Sequence, residues 1–130
     1  MPAVGRVLPQ PNVLLGDRCE VPLDDVLGPG FALLAVDPAS DDPFNGLRDP
    51  LWERIGARQL AIVLGDRGPG RDPGRVVDLD GRLAAFLGTE RRFVLVRPDR
   101  FVAAGFGAAD ENPVAAQLGK LLGERGGVRA

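Results

Sequence analysis

The side chains that could do chemistry in this sequence are few. They are a lone thiol at Cys19, two carboxylate pairs at Asp24-Asp25 and Asp41-Asp42, a glycine-rich run over residues 65–75, and the triplet Arg97-Pro98-Asp99. A reactive thiol needs a lowered pKa. Arg18 beside Cys19 favours the thiolate and Glu20 opposes it. With a single cysteine a dithiol mechanism is excluded, and an inert small residue is the better reading of Cys19. Asp24 and Asp25 could share acid–base work, but adjacent residues in a turn point in different directions, so the expectation is that one of them caps a short helix. Asp41 and Asp42 fall in a polar loop and lack the defined geometry a metal requires. The run 65–75 holds four glycines and two prolines, without the Gly-Lys-Ser/Thr ending of a phosphate loop or an amphipathic helix opening from it. It reads as an exposed loop. Trp52, the one indole, is expected in a seam between helix and sheet.

The inventory also excludes. There is no histidine and no tyrosine, so a Ser-His-Asp triad and a His-ligated metal are out, as are an internal disulfide and a cysteine-rich zinc site. The length of 130 residues, 45% hydrophobic and 26% charged, predicts one domain able to bury roughly two-thirds of its unfolded surface. Sixteen basic against eighteen acidic residues leave a charge of −2 with no basic tract, which argues against nucleic acid as a partner. Lys120 is the only lysine, an arginine bias explained by base composition. The longest apolar runs, Phe31 to Val36 and Leu60 to Leu64, fall far short of the ~20 residues of a membrane helix. The N-terminus has no signal-peptide order. A cytoplasmic location is expected, and a lone thiol is compatible with a reducing compartment.

These groups must be positioned by elements that the pattern outlines. Pro9 and Pro11 keep Gly5 to Leu15 extended, like a chain arriving from elsewhere. Val21 to Gly28 can form one helical turn before the breaker Gly28-Pro29-Gly30. Phe31–Val36 and Leu60–Leu64 are apolar throughout, the pattern of strands buried on both faces. Asp49-Pro50 starts a helix that buries Leu51, Trp52 and Ile55 and stops at Gly56. Val76 to Leu79 is a short strand, and Asp80 can cap a helix carrying Leu83, Phe86 and Leu87 to Gly88. Phe93–Arg97 and Arg100–Ala104 form a hairpin turning at Pro98-Asp99. Asn112-Pro113 opens the last helix, with Val114, Leu118, Leu121 and Leu122 on one stripe and a frayed tail from Gly126. This order predicts an α/β, thioredoxin-like three-layer sandwich: a mixed central sheet with helices on both faces and no CxxC.

Three stretches, taken together, carry a family resemblance. They are Gly5-Arg6-Val7-Leu8-Pro9-Gln10-Pro11, then Leu23-Asp24-Asp25-Val26-Leu27-Gly28-Pro29-Gly30-Phe31-Ala32-Leu33-Leu34, then Val94-Leu95-Val96-Arg97-Pro98-Asp99-Arg100-Phe101-Val102-Ala103. In this order and spacing the chain, from Gly5 to about Leu122, resembles the C-terminal domain of FAD-dependent aromatic hydroxylases, a group with phenol, 3-(3-hydroxyphenyl)propionate and polyketide hydroxylases among its members. The resemblance implies a thioredoxin-like domain without the dithiol, and a parent enzyme that uses FAD and NAD(P)H to hydroxylate an aromatic ring. The flavin carries that chemistry. No strand here leads into Gly-x-Gly-x-x-Gly. Gly16-Asp17 is superficially similar to the Gly-Asp pair that holds the flavin ribityl chain in such enzymes, but Arg18-Cys19-Glu20 do not fit. The expectation is therefore one domain over 1–130 with no catalytic, cofactor-binding or metal-ligating residue of its own. Its partners would be the N-terminal FAD and substrate domains of the same chain, with homo-oligomer formation left open. The alternative is a free-standing thioredoxin-like module that binds a small molecule or a protein. The sequence names no aromatic substrate and no role for Cys19.

Overall fold

Residues 3–15, 19–39, 42–64 and 75–126 are described by the computed structural model of the chain. The strands are β1 (Asn12–Leu15), β2 (Cys19–Pro22), β3 (Ala32–Val36), β4 (Arg58–Val63), β5 (Arg75–Asp78), β6 (Arg92–Val96) and β7 (Val102–Phe106). The helices are α1 (Leu23–Leu27), α2 (Leu51–Arg54), α3 (Arg82–Leu87) and α4 (Glu111–Gly126), with 3₁₀ turns at Pro43–Gly46 and Ala108–Asp110. All seven strands form one sheet in the order β2-β1-β5-β4-β3-β6-β7. β3 runs parallel to β4, and β4 to β5, whereas β6 and β7 are antiparallel neighbours and β1 pairs antiparallel with both β2 and β5. The two central parallel strands and the late hairpin match the sequence expectation.

The strands are buried on both faces because helices cover both. On β3 every residue is buried. Its alternation sends Ala32, Leu34 and Val36 to one core, with Leu23, Val26 and Leu27 of α1 and Leu83 and Leu87 of α3. Leu33 and Ala35 face the other core, with Leu51 and Trp52 of α2 and Ala115 of α4. Removing these side chains from water, at roughly 25 cal/mol per Å², is the main drive for the three-layer arrangement. Trp52 fills the expected seam: it is 4% exposed and stacks on Phe106 with ring centroids 5.4 Å apart. Phe93 and Phe44 extend the aromatic row.

Several local expectations are corrected. Cys19–Pro22 is a strand, held by antiparallel pairing to β1, a tertiary cause that four residues of mixed exposure do not advertise. Neither Asp24 nor Asp25 caps α1; the preceding Pro22 has no side chain to offer the helix amides. Asp80 accepts from the Arg82 N–H at 3.3 Å and pairs with the Arg82 Nε at 3.2 Å, while Asp78 at the end of β5 accepts from the Leu83 and Ala84 N–H groups at 3.2 and 2.9 Å. Left-handed Gly81 (φ 78°) lets the chain fold back so that Asp78 reaches them. The last helix begins at Glu111 rather than Asn112, because the 3₁₀ turn over 108–110 leads directly into it. Leu121 leaves the packed stripe at 56% exposure, whereas Val114, Leu118 and Leu122 pack on the sheet. Asp42 is exposed, as expected of its loop. The glycine-rich run over 65–74, the Gly16-Asp17-Arg18 segment, Asp41 and the tail beyond 126 lie outside the described residues.

The shifted cap gives a direct test. Asp78→Ala should cost about 1–2 kcal/mol in urea unfolding, and Asp80→Ala less than about 0.5 kcal/mol. Equal losses would mean that both carboxylates hold α3.

Candidate functional site

Two of the sets that looked chemical, Asp24 and Arg97-Pro98-Asp99, come together as an anchor through Arg100. The Arg97 carbonyl accepts from the Arg100 N–H at 2.8 Å, closing the turn at Pro98-Asp99. Asp99 takes the Phe101 N–H at 3.2 Å and pairs with Arg97 at 2.5 Å. Arg100 follows in the left-handed region at φ 72°, which costs a non-glycine residue on the order of 1 kcal/mol. That conformation aims its guanidinium across the sheet edge. Nε donates to Asp24 Oδ1 at 2.6 Å, Nη1 to the Gly30 carbonyl at 3.3 Å, and Nη2 to the Gly28 carbonyl.

The third stretch is held from the other side by the first. The Arg100 carbonyl accepts from the Leu8 N–H at 2.8 Å, Gly5 donates to the Val102 carbonyl at 2.8 Å, and Val102 donates to the Arg6 carbonyl at 2.9 Å. Leu8 is fully buried. The three sequence stretches singled out together therefore meet at one residue, Arg100. The Asp24 side chain is 57% exposed and Arg100 only 13%. The ion pair itself is therefore a small contributor, under about 1 kcal/mol. The bonds to the two carbonyls matter more, since an ionised donor is worth about 1.5–3 kcal/mol where it replaces water.

A second polar anchor was not anticipated from sequence. Glu111, 6% exposed, accepts at one carboxylate from the Arg48 N–H at 3.0 Å, the Asp49 N–H at 2.9 Å and the Trp52 Nε1–H at 2.8 Å. Asp49 in turn accepts from the Leu51 N–H at 2.9 Å, the helix-start bond that Asp49-Pro50 predicts. Burial pushes the Glu111 carboxyl up. The Asp49 amide, the Trp52 indole, the Arg48 amide and the Arg48 charge outweigh it and hold the group below its ordinary value. The carboxylate is saturated with donors and is spent on tying α4 to the entry of α2. The only sequence signal for it was an acidic residue ahead of Asn112-Pro113.

Cys19 is exposed and unpaired. Among the described residues no group of His, Cys, Asp and Glu could hold a metal, and no helix is long and apolar enough to cross a membrane. Beside the Arg97–Asp99 pair lies an open apolar groove of about 720 Å³, walled by Phe31, Leu95, Val102, Ala103, Leu118 and Leu121. Val4 and Gly5 form part of its rim.

Two substitutions separate backbone from side chain at Arg100. Arg100→Ala should destabilise by about 2–3 kcal/mol, and Arg100→Gly by about 1 kcal/mol less, because glycine relieves the positive φ. Chemical denaturation reads both. Glu111→Gln should cost about 2–3 kcal/mol at neutral pH. The depressed carboxyl contributes in full above the ordinary glutamate value of ~4.3, and that contribution is lost as the pH falls through the lower folded value. The stability gap between parent and variant should therefore stay constant above about pH 5 and close below pH 4. A gap that persists at low pH would show that the carboxylate charge is not what holds α2.

The comparisons with known proteins fit this geometry. The chain matches the HcaD C-terminal domain over residues 5–121. It is 37% identical over 119 residues to the 3-(3-hydroxy-phenyl)propionate/3-hydroxycinnamic acid hydroxylase of Burkholderia cenocepacia (strain HI2424), covering 82% of this chain and 21% of that protein. The hydroxylase of the same name from Comamonas testosteroni is 33% identical over 128 residues, 92% of this chain and 21% of the relative. This chain thus spans about a fifth of the length of the curated relatives it matches. Among solved structures, the flavin-dependent monooxygenase PieE in complex with FAD and substrate superposes with a TM-score of 0.62 at 23% identity, over 92% of this chain and 20% of that one. Peroxidoxin BcpB from Mycobacterium tuberculosis superposes with a TM-score of 0.65 at 17% identity, over 88% of this chain and 94% of that one. The fold is thus the thioredoxin and peroxiredoxin type that the element order predicted. With the family match running across both anchors, this chain belongs to the HcaD C-terminal domain family.

Proposed function

We propose that the chain acts as a redox-inactive structural domain of an aromatic-ring monooxygenase that uses FAD and NAD(P)H in the cytoplasm. The observation that carries this reading is the asymmetry of the match: 82% of this chain against 21% of a hydroxylase. What that fifth contains is anchors, and the reactive groups belong to the remaining polypeptide. Two of the residue sets that looked chemical, Asp24 and Arg97-Pro98-Asp99, are engaged in internal hydrogen bonds and ion pairs. A single exposed thiol supplies no intrachain disulfide exchange. The domain's work is then to pack against the catalytic part, and the apolar groove beside Arg97 is the surface suited to that contact, since Leu121 stands 56% exposed there and Val4 43%. Residues 5–8, pinned along β7 by the Arg100 carbonyl and Val102, set the direction in which the chain enters from that part. The aromatic substrate is selected outside this fifth, so none is assigned.

The same groove is the observation that favours the alternative, a free-standing module holding a small molecule or a protein. Titration with FAD separates the readings on the cofactor side. The purified chain should retain no stoichiometric flavin at micromolar concentrations and should not oxidise NAD(P)H. Stoichiometric micromolar binding, followed by flavin fluorescence, would contradict the assignment of the cofactor site to another part of the protein.

A further inference from the structure

We propose that a strip made by Val4, Val7, Phe101 and Leu121 seats an uncharged, apolar face of the flavin-bearing part of the same polypeptide. The proposal rests on the structural role proposed for the domain, and adds where the two parts meet and what chemistry the partner face must have. The large hydrophobic side chains left exposed among the described residues are Val4, Val7, Leu79, Phe101 and Leu121, and all but Leu79 belong to the strip. Val7 is bridged to Phe101 in antiparallel register, so the two side chains share a face. Leu8 and Val102, the next residue after each, are buried in the core that α1 and α3 cover, and alternation turns Val7 and Phe101 the other way, to the side of α4. Arg97 joins this pair to the groove: its guanidinium lies over the Phe101 ring, 5.7 Å from the centroid, and it walls the groove together with Val4 and Leu121.

Two observations say what covers the strip. The first is the chain that lies outside the match. A hydroxylase relative is covered over only 21% of its length, so about four-fifths of such a polypeptide is elsewhere, and for a C-terminal domain it comes before residue 5 of the matched region. Val4 to Val7 lie on the strip itself. Gly5 and Leu8 pin this arm to the Val102 and Arg100 carbonyls, so the larger part is tethered at the rim of the groove. Tethering raises the effective concentration of its surface over the strip far above that of any free partner, a second copy included. The second observation is charge. Arg97 and Asp99, the charged residues that wall the groove, pair with each other. A charged side chain pressed against them would lose its water and find no partner, so the covering face must be apolar and uncharged. The groove, at about 720 Å³, has room for several side chains of that kind.

The test introduces one cysteine at a time, in this chain alone and in the longer polypeptide that carries it, and follows maleimide labelling of each site by mass spectrometry. Leu121→Cys and Val7→Cys should label at least about tenfold more slowly in the longer polypeptide, because the core of an interface is packed like a protein interior. Leu79→Cys, which follows β5 and is separated from β7 by β4, β3 and β6, should label equally in both. Leu121→Asp should lower the urea midpoint of the longer polypeptide and leave that of this chain alone unchanged, since only a covered strip strips water from the new charge. Equal labelling of Leu121→Cys in the two, in a longer polypeptide that holds FAD, would overturn the strip and leave the structural role standing. Slow labelling already in this chain alone, with a dimer in sedimentation, would give the strip to a second copy and overturn it as well. The structural role itself is overturned by a different result, flavin held stoichiometrically by this chain alone.

Discussion

A guanidinium held on a left-handed residue has a direction that no local preference would choose. Arg100 sits at φ 72° beyond the Pro98-Asp99 turn, and from there it reaches Asp24 and the carbonyls of Gly28 and Gly30 on a different segment. The backbone strain is on the order of 1 kcal/mol, and a charged donor to an otherwise unpaired carbonyl returns more than that. The balance works only if all three partners are in place. Gly28 must be at φ 74°, so that the chain can turn its carbonyl outward after α1, and Leu8 must donate to the Arg100 carbonyl. The consequence is positional. The lead into β3, the β6–β7 hairpin and the incoming N-terminal arm cannot shift independently, because each is bonded to the same residue. The spacing of the three family-like stretches is the linear trace of this one contact.

Glu111 does for the opposite core what Arg100 does for the sheet edge. A carboxylate that is 6% exposed is expensive unless every lone pair is met, and here two backbone amides and an indole meet them. The stretch from Arg48 to Trp52 has only one helical turn to stabilise it, far below the length at which a helix stands alone. Its geometry is therefore imposed by α4. Trp52, fixed by its N–H, then presents its ring to Phe106 and couples α2 to the last strand of the sheet. Polar anchors, rather than added hydrophobic area, decide how the two short helices sit.

What could be read from the sequence follows the same division. β3, β4 and the β6–β7 hairpin were legible because continuous apolar runs have few other uses, and Pro98-Asp99 marks its own turn. The helix at Asp49-Pro50 and the buried Trp52 were legible for similarly local reasons. β2 was not, since its residues pair through β1 and carry no period of their own. Nor was Asp78: the nearer Asp80 has the better local position, and only the fold of the chain at Gly81 brings the more distant carboxylate onto α3. Glu111 lies 59 residues from Trp52, and Asp24 lies 76 from Arg100. Contacts of that span leave residue types but no spacing that distinguishes a structural carboxylate from a catalytic one. The resemblance found the right segments, and the geometry explains why those segments travel together.

The sheet thus has two unlike ends. At the β6–β7 turn, charge is neutralised internally: Arg97 by Asp99, Arg100 by Asp24 and two carbonyls. What remains open there is apolar, the groove lined by Phe31, Leu95 and Leu121, a surface that gains by meeting another hydrophobic surface. At the carboxyl end of β3 a smaller apolar pocket is walled by Ala35, Pro38, Pro43 and Phe93, and Arg91 is tied to the end of the strand by its bond to the Asp37 carbonyl. The first end suits a permanent contact, because nothing in it needs to be hydrated again. With a single thiol the chain cannot close an internal disulfide, and both ends of its sheet are finished by hydrogen bonds and apolar packing.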